Sequence, residues 1–242
     1  IKLALSAGFT GIDTALGYGN SRGVGLAVRA QRNRSSIFVQ TKVPACSAAA
    51  AACYNSTAAD VEQALGELGL PYVDSLLLHG APYGSCATPA SCGAARAQWA
   101  VLMEYQRTGR IRAIGVSNYC AHCLECLAQS VSMEERKWQR RAAAGSIDRQ
   151  HAAPPKIAGA PNDGSTATFI VPAVNQIQYH AGMPGPDPTG LVSYCKAHGT
   201  LPQAYSPLGN YATHSLLTAN ITTRIGAQLD PPRSAAAVAL RW

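Results

Sequence analysis

A chain of 242 residues, 47% hydrophobic and 14% charged, has the length for one large domain and the composition of a packed globular core, which excludes a disordered chain. No apolar run approaches the roughly 20 residues that cross a bilayer, so no membrane partner is expected. The formal charge of +7 is compatible with anionic ligands or acidic partners and singles out neither.

The chain opens inside a helical pattern, "IKLALSAGF", and closes inside another, "AAAVALRW". Both ends read as cut, so the lack of a leader sequence carries no information. Between them six short apolar runs recur: "FTGIDTA", "SIFVQTKV", "YVDSLLLHG", "IRAIGVSN", "PAVNQIQYH" and "TLPQAYSPLG". Their continuous apolar character predicts strands covered on both faces. Helical patterns alternate with them. In "STAADVEQALGELGL", Thr57 and Asp60 have the spacing of a capping box, and Val61, Leu65 and Leu68 share a face. "ARAQWAVLMEYQRTG" and "GLVSYCKAHG" each end on a glycine stop, Gly109 and Gly199.

Alternating strand and helix predicts βα units on a parallel sheet, either doubly wound or an incomplete eight-stranded barrel. The polar residues of interest fall at the strands' C-terminal ends: Asp13, Lys42, His79, Ser117 and Asn118, Gln176, Tyr205 and Ser206. In a barrel those ends converge on one pocket, whereas in an open sheet they spread along an edge. No G-x-G-x-x-G follows the first strand, and the spacing in "GYGNSRGVG" fails that fingerprint. The barrel is the favoured α/β fold.

Residues 130–168 break the rhythm where a short connection is expected. This stretch is rich in Ala, Gly, Pro and Ser, with a basic knot at Arg136, Lys137, Arg140 and Arg141. It reads as a disordered surface insertion. Its one aromatic, Trp138, is thin support for a nucleic-acid surface, so no nucleic acid is expected as a partner. A role for the insertion in binding other proteins stays open.

Eight cysteines are present, and reduced thiols are the default for so core-rich a chain. The pairs Cys46/Cys53 and Cys86/Cys92 are spaced to bridge under oxidising conditions. In "CAHCLEC", Cys120, Cys123 and Cys126 lack a nearby fourth cysteine and read as a loose helical stripe, so no metal site is expected. Three N-x-S/T matches, at Asn33, Asn55 and Asn220, matter only in a secreted protein.

Taken singly, Asp13 reads as a turn former, Lys42 as a strand-end surface lysine and His79 as a satisfied histidine. Taken with Tyr18, they form a chemical set. A phenol with a pKa near 10 is a poor acid at neutral pH. A lysine cation beside it stabilises the phenolate and lowers that value, and a carboxylate holds the lysine charged and in place. A histidine can orient a carbonyl oxygen. The set suits polarisation of a C=O group.

Along most of its length the sequence resembles the aldo-keto reductases. "GFTGIDTALGYGN" looks like their first signature, "FVQTKV" like the strand carrying their lysine, and "LGLPYVDSLLLHG" like the one carrying their histidine. "GRIRAIGVSNY", "PAVNQIQYH" and "AYSPLG" are similar to three further blocks. The resemblance implies a single (β/α)8 TIM-barrel domain over residues 1–242. It implies an NADPH-dependent reduction of an aldehyde or ketone, with Tyr18 as proton donor, Lys42 and Asp13 assisting, and His79 positioning the carbonyl. It further implies that Ser117, Asn118 and Gln176 hold the nicotinamide carboxamide, alongside Asp13 at the cofactor's edge. Tyr205 would stack on the ring, and Ser206 and Leu208 would lie along the pyrophosphate. The chain is expected to be a cytoplasmic monomer acting on a small carbonyl substrate.

The sequence departs from the family pattern at Thr10, Ser21 and Gly80, where an arginine, a glutamate and a pocket-walling tryptophan are usual. The first and last barrel strands are expected to lie outside the chain, which would leave an open seam and reduce stability and activity. A second reading of the same blocks is a non-catalytic, nicotinamide-binding barrel with a regulatory or redox-sensing role.

Overall fold

Each of the six apolar runs forms a strand: β1 (Gly11–Asp13), β2 (Phe38–Val43), β3 (Val73–Leu78), β4 (Ile111–Ser117), β5 (Val174–Gln178) and β6 (Leu201–Tyr205). The computed structural model describes residues 1–128, 170–187, 189–209 and 216–242, so the insertion at 130–168 lies outside the described residues. The chain divides into two units, Ile1–Ala173 and Val174–Trp242.

In the first unit β1, β2, β3 and β4 pair in chain order, every pair parallel. Parallel neighbours need a crossover, and helices supply it: α2 (Ser21–Arg29) after β1, α3 (Ala50–Leu68) after β2 and α4 (Pro89–Arg107) after β3. A short helix α1 (Lys2–Ser6) precedes β1, and α5 (121–128) follows β4. All six residues of β3 are buried, as a continuous apolar run predicts for a strand covered on both faces. Leu76, Leu77 and Leu78 are fully out of solvent, and each such side chain contributes about 1.5–3 kcal/mol of burial. Strand β1 differs: Gly11 and Asp13 remain exposed.

Two packing details fix this unit. Helix α2 approaches the C-terminal end of α3 so closely that a Cβ on Gly25 would lie 1.8 Å from the Leu68 carbonyl oxygen. Arg29 Nη1 donates to that same oxygen at 2.6 Å and to the Gly69 carbonyl at 3.0 Å. Towards the strands' N-terminal ends, Asp74 of β3 accepts from Arg34 Nη2 at 2.9 Å, Arg112 Nη1 at 3.2 Å and the Val39 amide at 2.9 Å. The two guanidinium carbons also lie 4.2 and 3.7 Å from the ring centroid of Tyr72, the residue before β3, in a double cation–π contact.

The expected capping box at Thr57 is not the start of a helix. The alanine-rich run before it has high helix propensity, so α3 begins at Ala50. Thr57 lies buried inside the helix, where its hydroxyl accepts from Gln98 Nε2 of α4 at 2.9 Å. The glycine stops hold: Gly109 and Gly199 adopt φ of 75° just beyond their helices.

The cysteine expectation needs correction. Cys46 and Cys53 are bridged, and Cys92 pairs with Cys126, not Cys86. Helix α5 brings Cys126 beside α4, with Cα atoms of Cys92 and Cys126 5.9 Å apart. Cys86, Cys120, Cys123 and Cys195 are free thiols.

In the second unit β5 and β6 pair in parallel, with α6 (Leu191–Ala197) as the crossover. The helices α7 (Asn220–Gln228) and α8 (Ala235–Arg241) complete it, packed against each other. Among the described residues no helix is long and apolar enough to cross a membrane.

Candidate active site

Asp13 is the last residue of β1, Lys42 the penultimate residue of β2, and His79 follows β3 directly. Parallel pairing places these ends side by side, with Asp13 in register with Gln40 and Lys42 with Leu77. Tyr18 comes from the loop after β1. There a single 3-10 turn, Leu16–Tyr18, ends on Gly19 at φ 64°, a backbone conformation that favours glycine. The loop's base is tied by Thr14 Oγ1 donating to Asn20 Oδ1 at 2.6 Å.

Lys42 is completely buried, which an unpaired ammonium would not tolerate. Its Nζ donates to Asp13 Oδ2 at 2.6 Å and to the Thr14 carbonyl at 3.1 Å. The other Asp13 oxygen accepts from Gln40 Nε2 at 2.7 Å. The carboxylate is thus held on both oxygens while its outer edge faces solvent. The Lys42 ammonium lies 5.1 Å from the Tyr18 ring centroid. The His79 imidazole meets the same ring edge-on, with centroids 5.6 Å apart. Burial depresses the His79 pKa below its ordinary value and the Lys42 charge depresses it further, against a smaller opposing effect of Asp13. A neutral imidazole follows at neutral pH, suited to donating one hydrogen bond rather than carrying charge. The structure therefore brings all four predicted residues together in one unit.

Ser117 ends β4 and Asn118 follows it. Asn118 sits at φ 58°, in the left-handed region that Asn tolerates better than most residues. Its Nδ2 donates to the His79 carbonyl at 3.2 Å and lies 3.1 Å from Ser117 Oγ. A hydroxyl and a carboxamide adjoining the histidine form a donor and acceptor set that fits an amide-bearing ligand such as a nicotinamide.

The remaining predicted residues belong to the second unit. Gln176 is the third residue of β5 and so lies within the strand, not at its C-terminal end as expected. It is buried, and its Nε2 donates to Gln203 Oε1 of β6 at 2.9 Å. Tyr205 ends β6, and Ser206 follows at φ 51°. Tyr205, Ser206 and Leu208 are all half-buried.

Sequence reasoning missed Gln40 and Thr14. Gln40 is a buried polar residue within a strand whose other buried positions include Val39 and Val43, and its amide two residues before Lys42 is the one signal that marks it. Thr14 acts through its backbone carbonyl, which leaves no mark on the sequence.

The family model described as "Aldo/keto reductase family" matches residues 1–144. The uncharacterised oxidoreductase YtbE of Bacillus subtilis is 29% identical over the whole chain, which spans 68% of that relative. An aldo-keto reductase of Mycolicibacterium vanbaalenii is 31% identical, again over the whole chain and 67% of the relative. Among solved structures, MGS-M4, an aldo-keto reductase enzyme from a Medee basin deep-sea metagenome library, superposes with a TM-score of 0.71 at 26% identity, covering all of this chain and 69% of that one. With that likeness the alternating strands and helices are those of a partial (β/α)8 barrel, and the chain belongs to the aldo/keto reductase family of oxidoreductase enzymes.

Proposed function

We propose that this chain carries the carbonyl-reducing site of an NADPH-dependent reductase, with Tyr18 as the proton donor to the substrate oxygen. The observation that carries this reading is the buried Lys42 ammonium, fixed by Asp13 at 2.6 Å and set 5.1 Å from the Tyr18 ring. A cation so placed favours the negative charge that develops as a phenol passes its proton to a substrate oxygen. Asp13 and the Thr14 carbonyl hold the ammonium in place. Neutral His79, meeting the Tyr18 ring at its edge, orients the carbonyl oxygen towards the phenol. A bound nicotinamide would supply the hydride. Ser117 and Asn118 would hold its carboxamide, and the family resemblance assigns Gln176, Tyr205, Ser206 and Leu208 of the second unit to cofactor binding as well. The substrate is a small aldehyde or ketone.

Tyr18→Phe tests the assignment. Loss of a positioned general acid lowers turnover by about 10²–10⁴-fold. NADPH binding, followed by fluorescence, stays within about twofold of the parent, because a ring of the same size remains. Unchanged reduction across an aldehyde panel would sink the proton-donor role.

A further inference from the structure

The turn that carries Asn118 runs straight into a cluster of thiols. Cys120 is exposed at the entry to α5, and Cys123 lies buried one turn on, in a C-x-x-C spacing. Their sulfurs are 3.5 Å apart, with the Cys120 thiol directed at Cys123 Sγ. Cys86, in the loop that leaves His79, is a further buried free thiol that interacts with Cys123. The Cys86 contact and burial hold the Cys123 thiol well above the ordinary thiol range, and burial raises Cys120 as well, so both are protonated at rest. The cluster therefore joins the loops after β3 and β4, the two that carry His79 and Asn118. None of these thiols has a place in the reduction chemistry. Among the described residues no group of three or more His, Cys, Asp or Glu is arranged to hold a metal ion.

We propose that Cys120 and Cys123 form a reversible dithiol–disulfide site that accepts electrons from, and returns them to, small-molecule disulfides and thiols, and that its oxidation weakens cofactor binding through Asn118. The second half rests on the proposed function. In the oxidising direction the exposed Cys120 thiol gives up its proton to solvent base, and the resulting thiolate attacks one sulfur of a small disulfide RSSR. That S–S bond breaks, one RS⁻ leaves and takes up a proton from solvent, and a mixed disulfide forms. Cys123 then loses its proton to solvent base and attacks Cys120 Sγ. The Cys120–Cys123 bond forms, and the second RS⁻ leaves and takes up a proton from solvent. Two thiols of the protein are oxidised and one RSSR is reduced to two RSH. Closing the bond brings the sulfurs to about 2.05 Å, so Cys120 is drawn in by roughly 1.5 Å. Asn118, two residues back and bonded to the His79 carbonyl, is displaced with it.

The test treats the full chain with oxidised glutathione and maps its disulfides by peptide mass spectrometry, which reads each bridge separately. The expected result is a Cys120–Cys123 disulfide in the parent that reduced glutathione reopens and that is absent in Cys120→Ser and Cys123→Ser. NADPH affinity of the parent should fall by about fivefold or more on oxidation, while Cys120→Ser keeps the affinity of the reduced parent. Failure to trap that disulfide overturns the redox site. A disulfide that forms with no change in affinity overturns the coupling through Asn118. Reduced protein that binds no NADPH at all sinks the proposed function instead, and the disulfide map still decides the redox site.

Discussion

Lys42 and Asp13 form an asymmetric ion pair: the lysine side chain is 0% exposed and its carboxylate partner, 2.6 Å away, is 42% exposed. The cation depends on the anion more than the reverse, because only the cation has lost its water. Asp13→Asn keeps the shape and removes the charge. Breaking a fully buried pair costs about 3–5 kcal/mol, and the solvent reaching Asp13 brings the expected loss to about 2 kcal/mol. Urea unfolding of the variant measures it. Carbonyl reduction should fall in the same variant, since Lys42 loses the group that fixes it beside Tyr18.

His79 gives a pH prediction. Its folded pKa lies below the unfolded value of about 6.5, chiefly through burial and next through Lys42. The neutral imidazole is therefore the stabilised form. Its contribution to stability is fully present above pH 6.5 and is lost as pH falls through the folded value. An NMR titration of the imidazole should place its midpoint below 6.5. Lys42→Met should raise that midpoint without restoring it to the ordinary value, because burial remains. A midpoint above 6.5 in the parent would contradict this electrostatic account.

The Cys92–Cys126 bridge closes 34 residues of chain. Loop-closure entropy for that separation is worth about 4 kcal/mol against the unfolded state. Cys92→Ser should lower the urea midpoint by up to that amount. Its effect should be greatest on α5, whose amide protons should exchange faster than those of β3.

Glycines at two helical positions should respond in opposite senses to alanine. Gly66, exposed inside α3, has nothing within 4 Å of a new Cβ, so Gly66→Ala should stabilise by about 0.5–1 kcal/mol through helix propensity. Gly25→Ala gains the same propensity but drives a Cβ to 1.8 Å from the Leu68 carbonyl oxygen. Backbone cannot swing aside as a side chain can, so overpacking of about 1–3 kcal/mol outweighs the gain. Thermal midpoints of the two variants check the signs.

Much of the fold was legible because its signals are local. Six apolar runs bounded by turn residues specify six strands, and Asp13, Lys42 and His79 stand out as ionisable groups where those runs end. Tyr18 became legible only beside them, since a tyrosine between glycines says nothing alone. What escaped depends on tertiary approach. Cys126 reaches Cys92 because α5 lies against α4, a proximity that no spacing encodes, and the pairing with Cys86 failed for that reason. The start of α3 was misplaced because Thr57 carries a capping signature inside a helix, where its hydroxyl serves Gln98 instead. Gln176 was placed at a strand end because apolar runs mark strands to within a residue or two, and a site can turn on less than that.

The bonds of Asp74 to Arg34, Arg112 and the Val39 amide have a consequence at the opposite end of the sheet. A slip of β3 by one residue against β2 would shift it by about 3.3 Å and turn each of its side chains to the other face. Asp74 would lose all of these partners at once. The charge cluster at the lower rim thus acts as an index pin. It does no chemistry, yet it sets how far His79 stands from Lys42 and, through them, what Tyr18 can reach.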